Sequence, residues 1–165
     1  MIALNIQDVK KFTSELFVHE MFDEFLMSEM DIAMAQSIHI DGTINKDWYT
    51  NEELEAFEGR RLTKWKEIKP LAFEMIKGKR TPLAFKMIFE LNETQLTKLV
   101  ERSGSSFKPT DVSGLYIHVK FDKNGLTVIT GSSIKVFSMD KSLEYYWDDT
   151  VKLMMKKYQI AAVEA

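Results

Sequence analysis

Cysteine is missing from all 165 residues, which excludes disulfides, thiolate nucleophiles and cysteine-ligated zinc. Histidine is scarce: His19, His39 and His118 are the only three, and no two stand at metal-ligand spacing. No apolar run approaches the ~20 residues that a membrane-crossing helix needs, so no membrane partner is expected. The opening MIALNIQDVKK lacks a basic stretch followed by a long apolar segment, so no signal peptide is expected and the cytoplasm is the default compartment. Net charge is also small, at −3. What remains is ordinary globular composition: 45% hydrophobic and 28% charged residues, enough for one domain over residues 1–165 with a real core.

The small net charge hides an uneven spread. Residues 1–59 carry thirteen Asp and Glu against Lys10, Lys11 and Lys46. Residues 60–80 carry eight cations, Arg60, Arg61, Lys64, Lys66, Lys69, Lys77, Lys79 and Arg80, against Glu67 and Glu74. A basic block inside an acidic chain suggests either a polyanion-binding face or a helix face neutralised by the acidic third.

Apolar periodicity predicts an α+β fold, a mostly antiparallel sheet of five to six strands with helices packed on it. Met1–Ile6 reads as a short strand, and Asp8 as the cap of a helix over 8–18 carrying Val9, Phe12 and Leu16. Alternation from Phe25 to Ile44 predicts two strands joined around Ala35–Ser37, with Asp41-Gly42 as a later turn or bulge. Thr50 is placed to cap the acidic helix NEELEAFEG. Trp65, Ile68, Leu71, Ala72, Met75 and Ile76 mark a helix face, with Pro70 expected in the first turn or at a kink. Leu83 to Leu91 alternate as a strand, and Asn92 caps a helix bearing Leu96, Leu99 and Val100. Asp122-Lys123-Asn124-Gly125 is a hairpin signal, because Asn-Gly accepts positive φ. Strands are expected before it, after it and over Ile134–Phe137. Asp140 or Ser142 starts a last helix with Leu143, Tyr146, Trp147, Val151, Met154 and Tyr158 inward. The tail IAAVEA carries no signal.

A repeat is suggested by the pairs Leu4/Leu91, Asn5/Asn92, Val9/Leu96 and Phe12/Leu99, all 87 residues apart. It would divide the chain into units at 1–59 and 82–158, joined by the basic segment 60–80. The piece FELNETQLTKLV…VSGLYIHVKFDKNGLTVITG, within 85–137, resembles the strand–helix–meander plan of a DNA polymerase processivity clamp domain. One such domain cannot close a ring alone, and the basic helix is not required by that plan. Over more of its length, through IALNIQDVKKF, KGKRTPLAFK, DVSGLYI, GLTVITGSSIKVF and DKSLEYYWD, the chain resembles an uncharacterised bacterial family of unknown function. That resemblance implies no activity.

Candidate sites are few. IKGKRTP looks like a phosphate loop, but G-x-x-x-x-G-K-[ST] would need glycine at Phe73 and a hydroxyl residue at Arg80. It also runs from helix to strand, the reverse of what places amides at a phosphate. Gly78 and Pro82 instead read as a helix stop. His39 and Asp41 share one side of a strand, too few ligands for a metal. Asp148 and Asp149 are adjacent on a helix, diverge by about 100° and are expected to face solvent. Ser103, Ser105 and Ser106 lack a nucleophile elbow. Met30, Met34, Met75, Met87 and Met154 fall on core stripes, leaving Met139 and Met155 unassigned. Tyr145, in Tyr145-Tyr146-Trp147, is the candidate protein-contact residue.

These residues indicate no catalytic, cofactor or metal site. The expectation is a non-catalytic binding or assembly module with a protein partner or self-association. The alternative is a polyanion or nucleic-acid binder, clamp-like or not, using residues 60–80. An enzyme of unrecognised type ranks third, because no constellation supplies its chemistry.

Overall fold

The alternating stretch around Phe85, Met87 and Phe89 is one strand of a seven-stranded antiparallel sheet in the computed structural model, which describes residues 1–165. The strands are β1 (Ala3–Ile6), β2 (Leu26–Ala33), β3 (Ser37–Asp41), β4 (Ala84–Glu90), β5 (Val112–Asp122), β6 (Gly125–Ile134) and β7 (Ala162–Glu164). The helices are α1 (Val9–Phe17), α2 (Asn51–Glu55), α3 (Trp65–Ile76), α4 (Glu93–Arg102) and α5 (Ser142–Lys157). Spatial order is β3-β2-β4-β5-β6-β1-β7.

One register row explains why this order holds. Ile40, Met30, Met87, Val119, Val128 and Leu4 stand side by side across six strands. Because strand side chains alternate, residues two and four positions from the row face the same way. Phe85, Phe89, Ile117, Leu115 and Leu126 therefore join it in the core. Helices α1, α3, α4 and α5 bury Phe12, Leu16, Trp65, Ala72, Leu96, Val100, Leu143 and Trp147 into the same cluster. Intervening residues such as Lys86, Ile88, Tyr116, His118 and Lys120 form the other face, which no helix covers.

At the centre of the core Phe22 stacks on Phe89 at 4.8 Å, and Trp65 meets Phe89 edge-on at 5.6 Å. Such pairs add about 0.5–1.5 kcal/mol each beyond burial. The indole Nε1 of Trp65 donates to the Leu16 carbonyl at 2.7 Å, so the one polar atom of this buried ring has a partner.

Local chemistry sets the helix starts as expected. Asp8 accepts from the Lys11 amide at 3.0 Å and Asn92 from the Gln95 amide at 2.9 Å. Thr50 and Glu53 form a reciprocal capping box. Asp140 accepts from the Ser142 amide at 2.9 Å and so opens α5.

Several expectations need correction. The sheet has seven strands, not five to six, because the unpatterned tail pairs with β1 through backbone hydrogen bonds. No separate strand covers Ile134–Phe137: β6 continues through Gly131 to Ile134. Leu83 precedes β4 and is 73% exposed. Pro70 is the sixth residue of α3, beyond its first turn. On α5 it is Met155 that is buried, while Met154 is half-buried. Asp148 is buried rather than solvent-facing: it accepts the Thr130 hydroxyl and lies 3.0 Å from the Met1 ammonium. The helix stop at 77–82 is real, though Lys77 is already extended and Gly78 has φ of 152°.

Gly42 holds two strands' ends together. Its amide donates to the Ser28 carbonyl and its own carbonyl accepts from the Thr63 amide, both at 2.8 Å. A Cβ there would lie 1.6 Å from the Met27 carbonyl oxygen, beside the bulge between Met27 and Glu29.

Candidate functional site

The basic block meets carboxylates along most of its length. Arg60 pairs with Glu67, Arg61 with Glu90, Lys64 and Lys66 with Glu24, Lys69 with Asp23, and Lys77 with Glu74. The hydrogen bonds from Lys66 and Lys64 hold the Glu24 carboxyl below its ordinary range. Lys79 and Arg80 have no carboxylate within 4.0 Å. Together with Lys10 they border a hollow of about 730 Å³ between α1, α3 and the 77–82 turn, floored by Phe17, Phe73 and Phe85.

On the uncovered sheet face His39 Nδ1 lies 2.6 Å from Asp31 Oδ1, which raises the imidazole pKa. Asp41 accepts from the Thr43 amide and does not share that contact. His118, three strands away, has its pKa lowered by burial and by Lys86. No three carboxylate or imidazole groups are placed to hold a metal ion. Ser103 bonds to the Val100 carbonyl and to Ser105, as a helix-end serine does. Ser106 donates to Asp140, whose four hydrogen bonds from Ser106 and Ser142 hold its carboxyl far below the usual range.

A second concavity lies between α4 and α5, a groove of about 590 Å³. Phe25, Leu91, Leu99, Trp147, Val151 and Met154 form its floor. Helical spacing builds the walls: Gln95, Lys98 and Arg102 follow one stripe of α4, and Tyr146, Thr150, Leu153 and Lys157 one stripe of α5. Lys98, Arg102 and Lys157 are exposed on the rim, and none has a carboxylate partner. Glu24, the one acid in the lining, is engaged by Lys64 and Lys66.

Sequence reasoning missed this groove, because it followed the inward stripes of both helices and left the flanking ones as surface. The available signal was Lys98 and Arg102, one turn apart beside Leu99. Tyr145 is 64% exposed on α5, as its candidacy required, but does not line the groove. The loop after β6 exposes Phe137 at 96% and Met139 at 85%. Between Ile44 and Leu62 the chain makes a second excursion, residues 45–61, in which no residue is buried.

The architecture is α+β: a single antiparallel sheet with helices on one face. The chain belongs to a family of unknown function (DUF5721), whose model matches residues 15–162. No curated protein and no solved structure matches it. No helix is long and apolar enough to cross a membrane.

Proposed function

We propose that the protein is a non-catalytic binding module whose partner is a protein, and that this partner docks between α4 and α5. One observation carries the reading: the groove combines an apolar floor with three rim cations that lack carboxylate partners. A trough between two helices suits an amphipathic helix laid in by its apolar side. An apolar centre inside a charged rim is also the anatomy of docking surfaces. The sign of the rim selects an acidic partner, since rim charge governs steering and discrimination.

Selection from a displayed library of random helical peptides tests this. Recovered sequences should carry apolar anchors at i, i+4 and i+7 with Asp and Glu alongside. The same library panned on Lys98→Glu/Arg102→Glu or Leu153→Asp should not yield them. A library that enriches nothing, or enriches equally on those variants, removes the reading.

A second reading, a polyanion-binding and clamp-like module, is supported only by Lys10, Lys79 and Arg80 around the hollow near the 77–82 turn. It predicts a DNA or RNA mobility shift at low salt that Lys79→Glu/Arg80→Glu abolishes. A flat result at low salt eliminates it.

A further inference from the structure

The excursion between Ile44 and Leu62 is built as an arm. Its stem is fixed by the Ile44 amide on the Arg61 carbonyl and by a bridge between Thr43 and Leu62, with Ile44 and Leu62 both buried. Beyond the stem, Asp47, Glu52, Glu53, Glu55 and Glu58 form no ion pair, and Trp48 is 83% exposed. The arm is nonetheless ordered from within. Thr50 and Glu53 cap its helix, Tyr49 meets Phe57 edge-on at 4.9 Å, and the Arg60 guanidinium sits 5.2 Å from the Phe57 ring centroid. An exposed indole on a preordered acidic segment is what an interface anchor requires, because little freedom is lost on docking.

The same chain carries the complement. The α4–α5 groove offers an apolar floor large enough for an indole and a rim of Lys98, Arg102 and Lys157, none with a carboxylate partner. No residue of the arm lines that groove in its own chain. We infer that the occupant of the groove is the acidic arm of a second copy, with Trp48 inserted between α4 and α5 and the arm carboxylates facing the cationic rim. The inference rests on the reading of the groove as a protein-docking site and adds the identity of the partner. If the exchange is reciprocal, two arms and two grooves close a two-fold dimer.

Sedimentation and light scattering over a concentration series test it, using the full chain. Self-association is expected at low salt and should weaken as salt rises, since exposed charge pairs are screened. Trp48→Ala should weaken it by about tenfold or more. Two charge reversals give the decisive arm. Asp47→Lys/Glu52→Lys/Glu55→Lys makes the arm basic, and Lys98→Glu/Arg102→Glu/Lys157→Glu makes the groove acidic. Each alone should remain monomeric, and an equal mixture should form a heterodimer. A misfolded variant cannot produce that rescue, and all six positions are exposed. Failure of the mixture to associate overturns the inference, as does a wild-type protein that stays monomeric at high concentration and low salt. If such a monomer still selects groove-dependent acidic peptides, the docking site stands and only the second copy is removed. If it selects none, both fall. A monomer whose fluorescence shifts on groove reversal, and no longer does so once Trp48→Phe is added, has its arm in its own groove, which also overturns the second copy.

Discussion

Two stretches of the chain run through the same elements in the same order, β1-α1-β2-β3 and β4-α4-β5-β6, yet are assembled differently. In the second, the strand pairs with its own hairpin, β4 beside β5 beside β6. In the first, β1 never meets β2: it lies against β6, while β2 takes the free side of β4. The second stretch thus forms the middle of the sheet, and the first is split around it. Element order is set locally, by caps and periodicity. Which strands become neighbours is set by whose apolar row can be continued. The offset of 87 does not survive this comparison: the N-caps Asp8 and Asn92 stand 84 apart, and that spacing sets buried Phe12 with Leu96 and Leu16 with Val100. The same spacing would pair buried Leu4 with Ile88 of the uncovered face. No single offset aligns both strand and helix.

If the middle carries the fold, damage there must exceed damage at the flank. Phe89→Ala, which empties the contact with Phe22 and Trp65, should cost about 3–5 kcal/mol in urea unfolding. Ile40→Ala, on the edge strand β3 and half-buried, should cost well under half of that. Equal losses would refute the asymmetry. Next in size is the tie that holds β1 to the middle. Asp148→Ala leaves the buried Thr130 hydroxyl without its acceptor and should cost about 1–3 kcal/mol. A loss within error would mean that strand pairing alone seats β1.

The histidines sharpen the comparison from its two sides. Beside Asp31, His39 of the first stretch should titrate above ~6.5, and half-buried His118 of the second below it, by NMR. The signs for stability are opposite. His118 is harder to protonate when folded, so its contribution is lost as pH falls through ~6.5 towards its lowered value. His39 contributes below ~6.5 and loses that contribution as pH rises through its raised value. Finding the two in the reverse order would contradict the pairing of His39 with Asp31. The smallest effect belongs to the arm. Replacing residues 46–59 by a short Gly-Ser turn should change unfolding free energy by about 0.5 kcal/mol or less, because nothing there is buried. A large loss would make the arm a structural element.

Much of the architecture was legible. The alternation of Phe85, Met87 and Phe89, the caps at Asp8, Thr50 and Asn92, and the Asn124-Gly125 hairpin each depend on neighbours within a few residues. What escaped depends on distant ones. Strand β7 has no pattern of its own, since backbone hydrogen bonding to β1 suffices for Ala162–Glu164. Asp148 reads as a solvent residue until Thr130 and the chain's first ammonium arrive beside it. Neutralisation of the basic block by the acidic third was legible as a class, and Asp23 and Glu24 supply it, but which cations they would meet, and that Glu90 from β4 would join them, depended on the fold. The groove belongs to the same class: it is the space left between two helices, and no single helix encodes it.

The backbone crossing at Gly42 has a practical consequence for anyone scanning this gene by saturation mutagenesis. Every replacement there drives a carbon into the Met27 carbonyl, so the position will score as intolerant as any catalytic group. That intolerance would report a steric wedge beneath β2, and a map of essential positions that ignores it would mistake backbone packing for chemistry.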